Sequence, residues 1–153
     1  LKTLNKSLNK TLQKNKKAYF DYFVLETLEC GIQLQSYEIK SIVEGNFNIK
    51  GSFSKIVKNE VYIFDMHIKH YKNLHSTALL EQYRPRKLLL HKKQINKFKD
   101  QLKKSQGLTL IPLEVYLNEA GICKILLGLC KGKKLYDKRA TEKAKDILRD
   151  SQS

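Results

Sequence analysis

Apolar positions along the middle of the chain alternate or run together more often than they recur at helical spacing. Between 18 and 34 stand the β-formers Tyr19, Phe20, Tyr22, Phe23, Val24, Leu25, Thr27, Leu28 and Ile32, which predict one or two strands with Gly31 marking a bend or bulge. Phe53, Ile56 and Val57 predict the next strand, Lys58-Asn59-Glu60 a turn, and residues 61–68 the returning half of a hairpin. Residues 108–117 predict a strand in which Pro112 takes an edge or bulge position. Asn118-Glu119-Ala120-Gly121 then turns the chain into a last strand over 122–129. The near-continuous apolar run there (Ile125, Leu126, Leu127, Leu129) predicts central burial.

Two segments change to helical period. Ser36 serves as N-cap for a short helix whose inward face is Ile39, Ile42 and Val43, with Gly45 as its stop; this helix carries Glu38 and Lys40 away from the core. His91 caps a longer one in which Ile95, Phe98 and Leu102 recur at three and four, while lysines occupy much of the remaining surface up to Gly107. Residues 69–83 lack periodicity and read as a long loop. About six short strands with two intervening helices predict a mainly β fold with accessory helices. The natural candidate is an OB-fold-like small closed barrel, a form that commonly binds nucleic acid on a face and its flanking loops.

The ends differ from this body. Residues 1–17 hold no Asp or Glu. Lysines recur every four residues and leucines at three or four, so an amphipathic helix could form on a partner or a membrane. Asn and Thr weaken it, and residues 1–14 read as a flexible basic arm. An organellar presequence fits less well without Arg, and a secretory signal is excluded for want of an apolar segment. The barrel is expected over 15–132 and a basic tail over 133–153. In that tail Ala144, Ile147 and Leu148 keep a helical spacing that a receiving surface could order.

Charge sharpens the picture. Thirty Lys and Arg against fifteen Asp and Glu leave a net charge of +15, which draws nucleic acid or an anionic membrane. No apolar run approaches the length of a membrane span. Cys30, Cys123 and Cys130 form neither a Cys-x-x-Cys pair nor an even set, and read as buried thiols in a reducing, cytoplasmic setting. The stretch 131–139 combines cations with one aromatic, Tyr136. It fits either a solvated linker or a contact in which Lys and Arg meet phosphates and a ring stacks on a base.

Catalytic and metal motifs are absent from the sequence. There is no Gly-rich phosphate loop, no Gly-x-Ser-x-Gly and no His-Glu-x-x-His. His67 and His70, three apart on a strand, point to opposite faces and do not share a metal; no cofactor is expected. Glu29 beside the Gly31 bend is open to two readings. It is solvated or paired with a local Lys, or it accepts hydrogen bonds from RNA amino groups or ribose hydroxyls.

Several separated stretches, in order, resemble one family. Asn15-Lys16-Lys17-Ala18, Asp21-Tyr22-Phe23, Glu29-Cys30-Gly31 and Glu38-Ile39-Lys40-Ser41 are similar to the opening of the SmpB (SsrA-binding protein) family of bacteria. Residues 84–91 (Arg-Pro-Arg-Lys-Leu-Leu-Leu-His), 107–113 and 132–139 are similar to its later signatures. The resemblance implies an OB-fold barrel and a non-enzymatic adaptor of trans-translation. Such an adaptor binds the tRNA-like domain of transfer-messenger RNA (tmRNA, or SsrA RNA) and supports its charging by alanyl-tRNA synthetase. With elongation factor Tu and GTP, it accompanies that RNA to ribosomes stalled on truncated messages. The implied tail is disordered when free, and on the ribosome it enters the small-subunit decoding centre and the empty mRNA channel, where it can become helical.

Carried over by position, the implied tmRNA surface is Asn15, Lys16, Lys17, Glu29, Lys40, Asn48 and Leu89. Arg84, Arg86 and Lys87 are added on charge alone. The implied ribosome-facing set is Gly132, Lys133, Lys134, Tyr136, Asp137, Lys138 and Arg139, with Lys143, Lys145 and Arg149 tracking RNA further on and Ile147 and Leu148 packing a helical tail. The chain departs from the family at Tyr19, Phe20 and Asn46 and, most of all, after Arg139, where Ala140 and a more acidic mixture follow. The rival reading is a general single-strand RNA-binding or ribosomal OB-fold protein. An RNA-processing enzyme would need a catalytic constellation that the motifs do not supply.

Overall fold

Strand pairing between the two longest apolar segments near the C-terminal end sets the architecture. The computed structural model describes residues 9–70, 81–134 and 138–140. In chain order these form β1 (Lys10–Lys14), α1 (Lys16–Asp21), β2 (Tyr22–Ile32), α2 (Ser36–Val43), β3 (Phe47–Asn48) and β4 (Phe53–Val57). Then follow β5 (Glu60–Phe64), β6 (His67–Ile68), β7 (Arg86–Leu89), α3 (Lys92–Lys104), β8 (Leu108–Leu117) and β9 (Cys123–Gly132). Seven strands make one sheet in the order β1-β8-β4-β5-β7-β2-β9, and β9 also pairs with β8, so the order returns on itself. β3 and β6 form a separate two-stranded sheet. The fold is mainly β with a few helices.

The expected strands at 108–117 and 122–129 form, the second running on to Gly132. Pro112 sits at a register shift against β9, as a residue without a donor should. Leu110, Leu113, Val115, Ile125, Leu127 and Leu129 are buried. Gly128 allows the close approach of the two strands. A Cβ there would stand 2.6 Å from Leu113 Cδ1 and 3.1 Å from Cys130 Sγ.

The β4–β5 hairpin turns through Lys58 and Asn59, both at positive φ, as a two-residue turn matching strand twist requires. The returning strand does not run on to 68. Asp65 adopts φ 61°, ends β5 at Phe64 and lets β6 pair with β3 instead. α3 forms as its spacing predicts. His91 is its N-cap and its N–H donates to Gln94 Oε1 at 2.9 Å, while Ile95 and Phe98 are buried.

Three expectations are corrected. The flexible arm does not extend through residue 14: residues 10–14 form β1, antiparallel to β8, with Leu12 packed on the core; 1–8 lie outside the described residues. A free strand edge on β8 overrides the weak helical spacing. The strand expected from residue 18 begins only at Tyr22, because Asn15 caps α1: its Oδ1 accepts from the Ala18 N–H at 3.2 Å.

The third correction concerns α2. Its N-cap is Gln35, not Ser36, and Glu38 reaches back to accept from the Gln35 N–H at 2.8 Å. Glu38 does not face solvent; it is fully buried. Arg86, also fully buried, donates from Nε to Glu38 Oε2 at 2.6 Å, from one terminal nitrogen to the Met66 carbonyl at 2.7 Å and from the other to the Gln82 carbonyl at 3.0 Å. Arg84 closes on the other Glu38 oxygen. Burial alone would push the Glu38 carboxyl up. The Gln35 N–H and the two guanidinium groups outweigh it and hold the carboxyl below its usual range.

Removing one member leaves a buried charge unpaired, so Glu38→Gln should destabilise the protein by about 3–5 kcal/mol, and Glu38→Gln with Arg86→Met by less than the two single losses added. Denaturant melts of the four proteins measure this. Because the folded carboxyl is depressed, its contribution is present in full above roughly pH 4–5 and is lost as pH falls through the lower folded value. The stability gap between wild type and Glu38→Gln should therefore narrow in acid.

Candidate nucleic-acid interface

Gln13 brings the first candidate residues together. Its side-chain amide donates to the Phe47 carbonyl at 3.2 Å and accepts from the Ile49 N–H at 2.6 Å, clamping β1 to the β3 segment. Lys14, Lys16 and Lys17 then stand beside Asn48 and Lys50 around an open cleft of about 330 Å³. Asn48 Oδ1 accepts from the Lys50 N–H at 2.8 Å, which fixes that turn. Lys16, Lys17 and Asn48 were anticipated from the sequence. Lys14 and Lys50 were not, because only the fold brings β1 next to β3. An adjoining cleft of about 680 Å³ shares Lys17 and Lys50 and adds Tyr22, Phe53 and Ile111.

Asn15, expected to face RNA, is only 4% exposed. Both halves of its amide are engaged, one with Ala18 and the other donating to the Pro112 carbonyl at 3.0 Å. It positions the lysines that follow it and does not offer its own side chain.

A second cleft, of about 450 Å³, gathers Glu29, Lys87 and Leu89 with Lys92 and Lys124. Gly31 pairs with Leu89 on one side and Lys124 on the other. A Cβ at Gly31 would lie 3.3 Å from the Leu89 side chain, so the glycine makes room for that leucine. Leu89 is 52% exposed, an apolar surface in a cleft with three lysines. Glu29 is exposed, and among the described residues it pairs with no lysine. Its carboxylate accepts a hydrogen bond from the Tyr116 hydroxyl. Burial and that carboxylate push the Tyr116 phenol far above its ordinary value, so it stays a donor. Tyr116 has no sequence signal as a site residue; only the packing of β8 and β9 brings it to Glu29.

The three cationic residues added on charge separate. Arg86 is wholly enclosed by Glu38 and two carbonyls, so it offers nothing to a phosphate; its place in the RNA-facing set is withdrawn. Arg84 spends its guanidinium on the same carboxylate. Lys87 lies outward, 3.6 Å from Glu60. Lys40 lines a third cleft with Ser36, Tyr37, His70 and Glu81, where the Tyr37 and His70 rings meet edge to face at 4.6 Å.

At the root of the tail the main chain is anchored. The Lys133 N–H donates to the Asp21 carbonyl at 2.8 Å, and the Lys133 ammonium lies 5.1 Å from the centre of the Phe23 ring. Lys138 pairs with the Asp21 carboxylate at 3.2 Å. Residues 138–140 are helical, and Gly132, Lys134 and Arg139 are exposed. Asp21 thus receives the tail root twice, a role that sequence reasoning missed. Tyr136, Asp137, Lys143, Lys145, Ile147, Leu148 and Arg149 lie outside the described residues.

What these surfaces can do is bind anions and stack. Among the described residues no group of three or more His, Cys, Asp or Glu could hold a metal ion. His67 and His70 are engaged separately, His67 with Gln82 at 2.7 Å. The three cysteines are free and buried; burial pushes Cys30 up to about 12 and Cys123 and Cys130 up to about 11, which keeps them as thiols. No helix of the described residues is long and apolar enough to cross a membrane.

Comparison with known proteins bears on these surfaces directly. A family model described as "SmpB protein" matches residues 12–153. The SsrA-binding protein of Bacillus subtilis (strain 168) is 48% identical over 145 residues, 95% of this chain and 91% of that protein. Those of Treponema denticola and Helicobacter hepaticus are 44% and 42% identical, over 97% and 94% of this chain and 95% and 92% of their own lengths. A solved structure described as "tmRNA-SmpB: a journey to the center of the bacterial ribosome" contains a chain that is 41% identical, with a TM-score of 0.63, covering 80% of this chain and 85% of that one. The matched range takes in the segments that build the lysine cleft, the Glu29–Leu89 cleft and the tail root, and the chain belongs to the SmpB family.

Proposed function

We propose that this protein is a tmRNA-binding adaptor of trans-translation. It binds the tRNA-like domain, supports alanylation by alanyl-tRNA synthetase and, with elongation factor Tu and GTP, delivers the RNA to ribosomes stalled on truncated messages. The returning strand order serves as an OB-fold-like closed barrel that, with β1 added at its edge, spans 10–132. The tail over 133–153 enters the decoding centre and the empty mRNA channel and becomes helical there. The observation that carries this reading is the likeness to SsrA-binding proteins along nearly the whole chain.

On the body, the RNA-facing residues are Lys16, Lys17, Asn48, Lys40, Glu29, Lys87 and Leu89, joined by Lys14, Lys50 and Lys124. The lysines meet phosphates, while Glu29 accepts from base amino groups or ribose hydroxyls. Tyr116 fixes the carboxylate in place from behind. In the tail, Lys133, Lys134, Lys138 and Arg139 follow ribosomal RNA with Lys143, Lys145 and Arg149, and Tyr136 stacks. The protein works in the cytoplasm as a binder and not as a catalyst.

Binding of the isolated tRNA-like domain, set against an unrelated RNA of equal length, tests this reading; equal affinity would favour the general single-strand RNA binder. Deleting residues from Lys133 onward should leave that binding largely intact and abolish tagging on stalled ribosomes. Loss of binding in the truncated protein would merge the two roles. If about six phosphates are neutralised, log affinity should fall by roughly four to five for each tenfold rise in salt, as a titration between 50 and 500 mM would show. Tyr116→Phe removes the donor behind Glu29 without changing ring volume. It should weaken binding of the tRNA-like domain by roughly tenfold while shifting the salt slope little, since no phosphate contact is lost.

A further inference from the structure

The two clefts on the body are joined by a face whose larger part, β4 and β5, lies outside the stretches that resemble the family. Along β4 and β5, Ser54, Val61 and Ile63 point inward and are buried, so Phe53, Lys55, Tyr62 and Phe64 point outward. Phe53 stands opposite Phe64, and Lys55 opposite Tyr62. The next strand continues the row, with Tyr62 opposite Lys87. The Phe53 and Phe64 rings stack at 5.5 Å between centres and 16° between planes. Lys55 Nζ lies 5.3 Å from the centre of the Phe53 ring.

The ends of this row are the clefts themselves. Phe53 lines the large cleft that holds Lys17 and Lys50. Lys87, with Leu89 two residues on, lines the cleft of Glu29. A cross-strand aromatic pair would suffice to steady a hairpin. It would not need to lie partly exposed, flanked by lysines, with a lysine-bearing cleft at either end.

We propose that the outer face of β4, β5 and β7 is a stacking track for an unpaired stretch of RNA, with bases on Tyr62 and on the Phe53–Phe64 pair and phosphates beside Lys55 and Lys87. The track makes the two clefts one continuous site. Phe53 and Lys55, like Tyr62 and Phe64, lie two residues apart along their strands, ~7 Å, and the row from β4 to β7 crosses two strand spacings, ~10 Å, room for about two nucleotides. Phe and Tyr rings accept any base, and cations between the rings keep the chain close, so the track selects for single-strandedness and not for sequence. The proposal rests on the RNA-binding reading above and adds to it the kind of RNA that crosses this face.

The test uses the full-length protein, with hexaadenylate and an abasic hexanucleotide of equal charge as probes. Hexaadenylate should bind at least roughly tenfold more tightly. Tyr62→Leu and Phe64→Leu, which keep apolar bulk but remove a ring, should each erase most of that preference while leaving affinity for the abasic chain unchanged; melting curves check that both remain folded. Equal binding of the two probes to the wild-type protein would overturn the track, and this comparison requires no variant. Retention of the full preference in folded ring variants would overturn it as well. Failure of the wild-type protein to bind the tRNA-like domain, measured alongside, would instead strike the functional reading from which the proposal starts.

Discussion

A carboxylate in the interior of a protein is tolerated only when its partners replace the water it has lost, and Glu38 meets that demand in full. One oxygen takes the Gln35 N–H and Arg84, while the other takes Arg86. Arg86 in turn holds the carbonyls of Met66 and Gln82. The knot therefore ties α2, the approach to β6 and the segment leading into β7 to one point. Since β7 pairs with both β5 and β2, its outward residues Lys87 and Leu89 follow directly on the inward Arg86 that anchors the start of the strand. A buried ion pair of this kind contributes little net stability against an apolar replacement, yet it admits few alternative arrangements. Here that restriction sets the register of a strand that presents a binding face.

Cations serve two separate purposes in the molecule. Arg86 works in a dry interior, where salt barely reaches it, with the half-buried Arg84 at the edge of the same carboxylate. Lys14, Lys16, Lys17 and Lys50 work at an open surface where screening over about 8 Å is effective at physiological ionic strength. High salt should thus loosen what the surface holds without loosening the fold. The excess of positive charge that marks the sequence is consequently a poor guide to any single residue. Arg86 looks as promising as Lys87 on paper, and the two face opposite sides of the same strand.

Much of the fold was legible because burial leaves a period in the sequence. The hairpin at 53–64, α3 with its His91 cap, and the two long apolar strands follow from alternation, from three-and-four spacing and from turn residues. Features that depend on a partner distant in the chain were not legible. β1 reads as a weak basic helix until an open strand edge is available to it. Glu38 reads as an outward charge because nothing local reveals two arginines nearly fifty residues away. The same applies to the site. Single residues such as Lys16, Glu29 and Leu89 stand out by motif. Gln13, Tyr116 and Asp21, which set their surroundings, make contacts across 34 to 117 positions, and nothing local announces those partners.

Asp21 is the last residue of α1, and its carbonyl and carboxylate both hold the tail root. The helix it ends begins with Lys16 and Lys17 at the lysine cleft. Body and tail are in this sense geared: a pull on the chain at Lys138 is borne first by Asp21 and then by the six-residue helix that carries the cleft's cations. The tail root and the lysine cleft are thus joined by a lever less than two turns long.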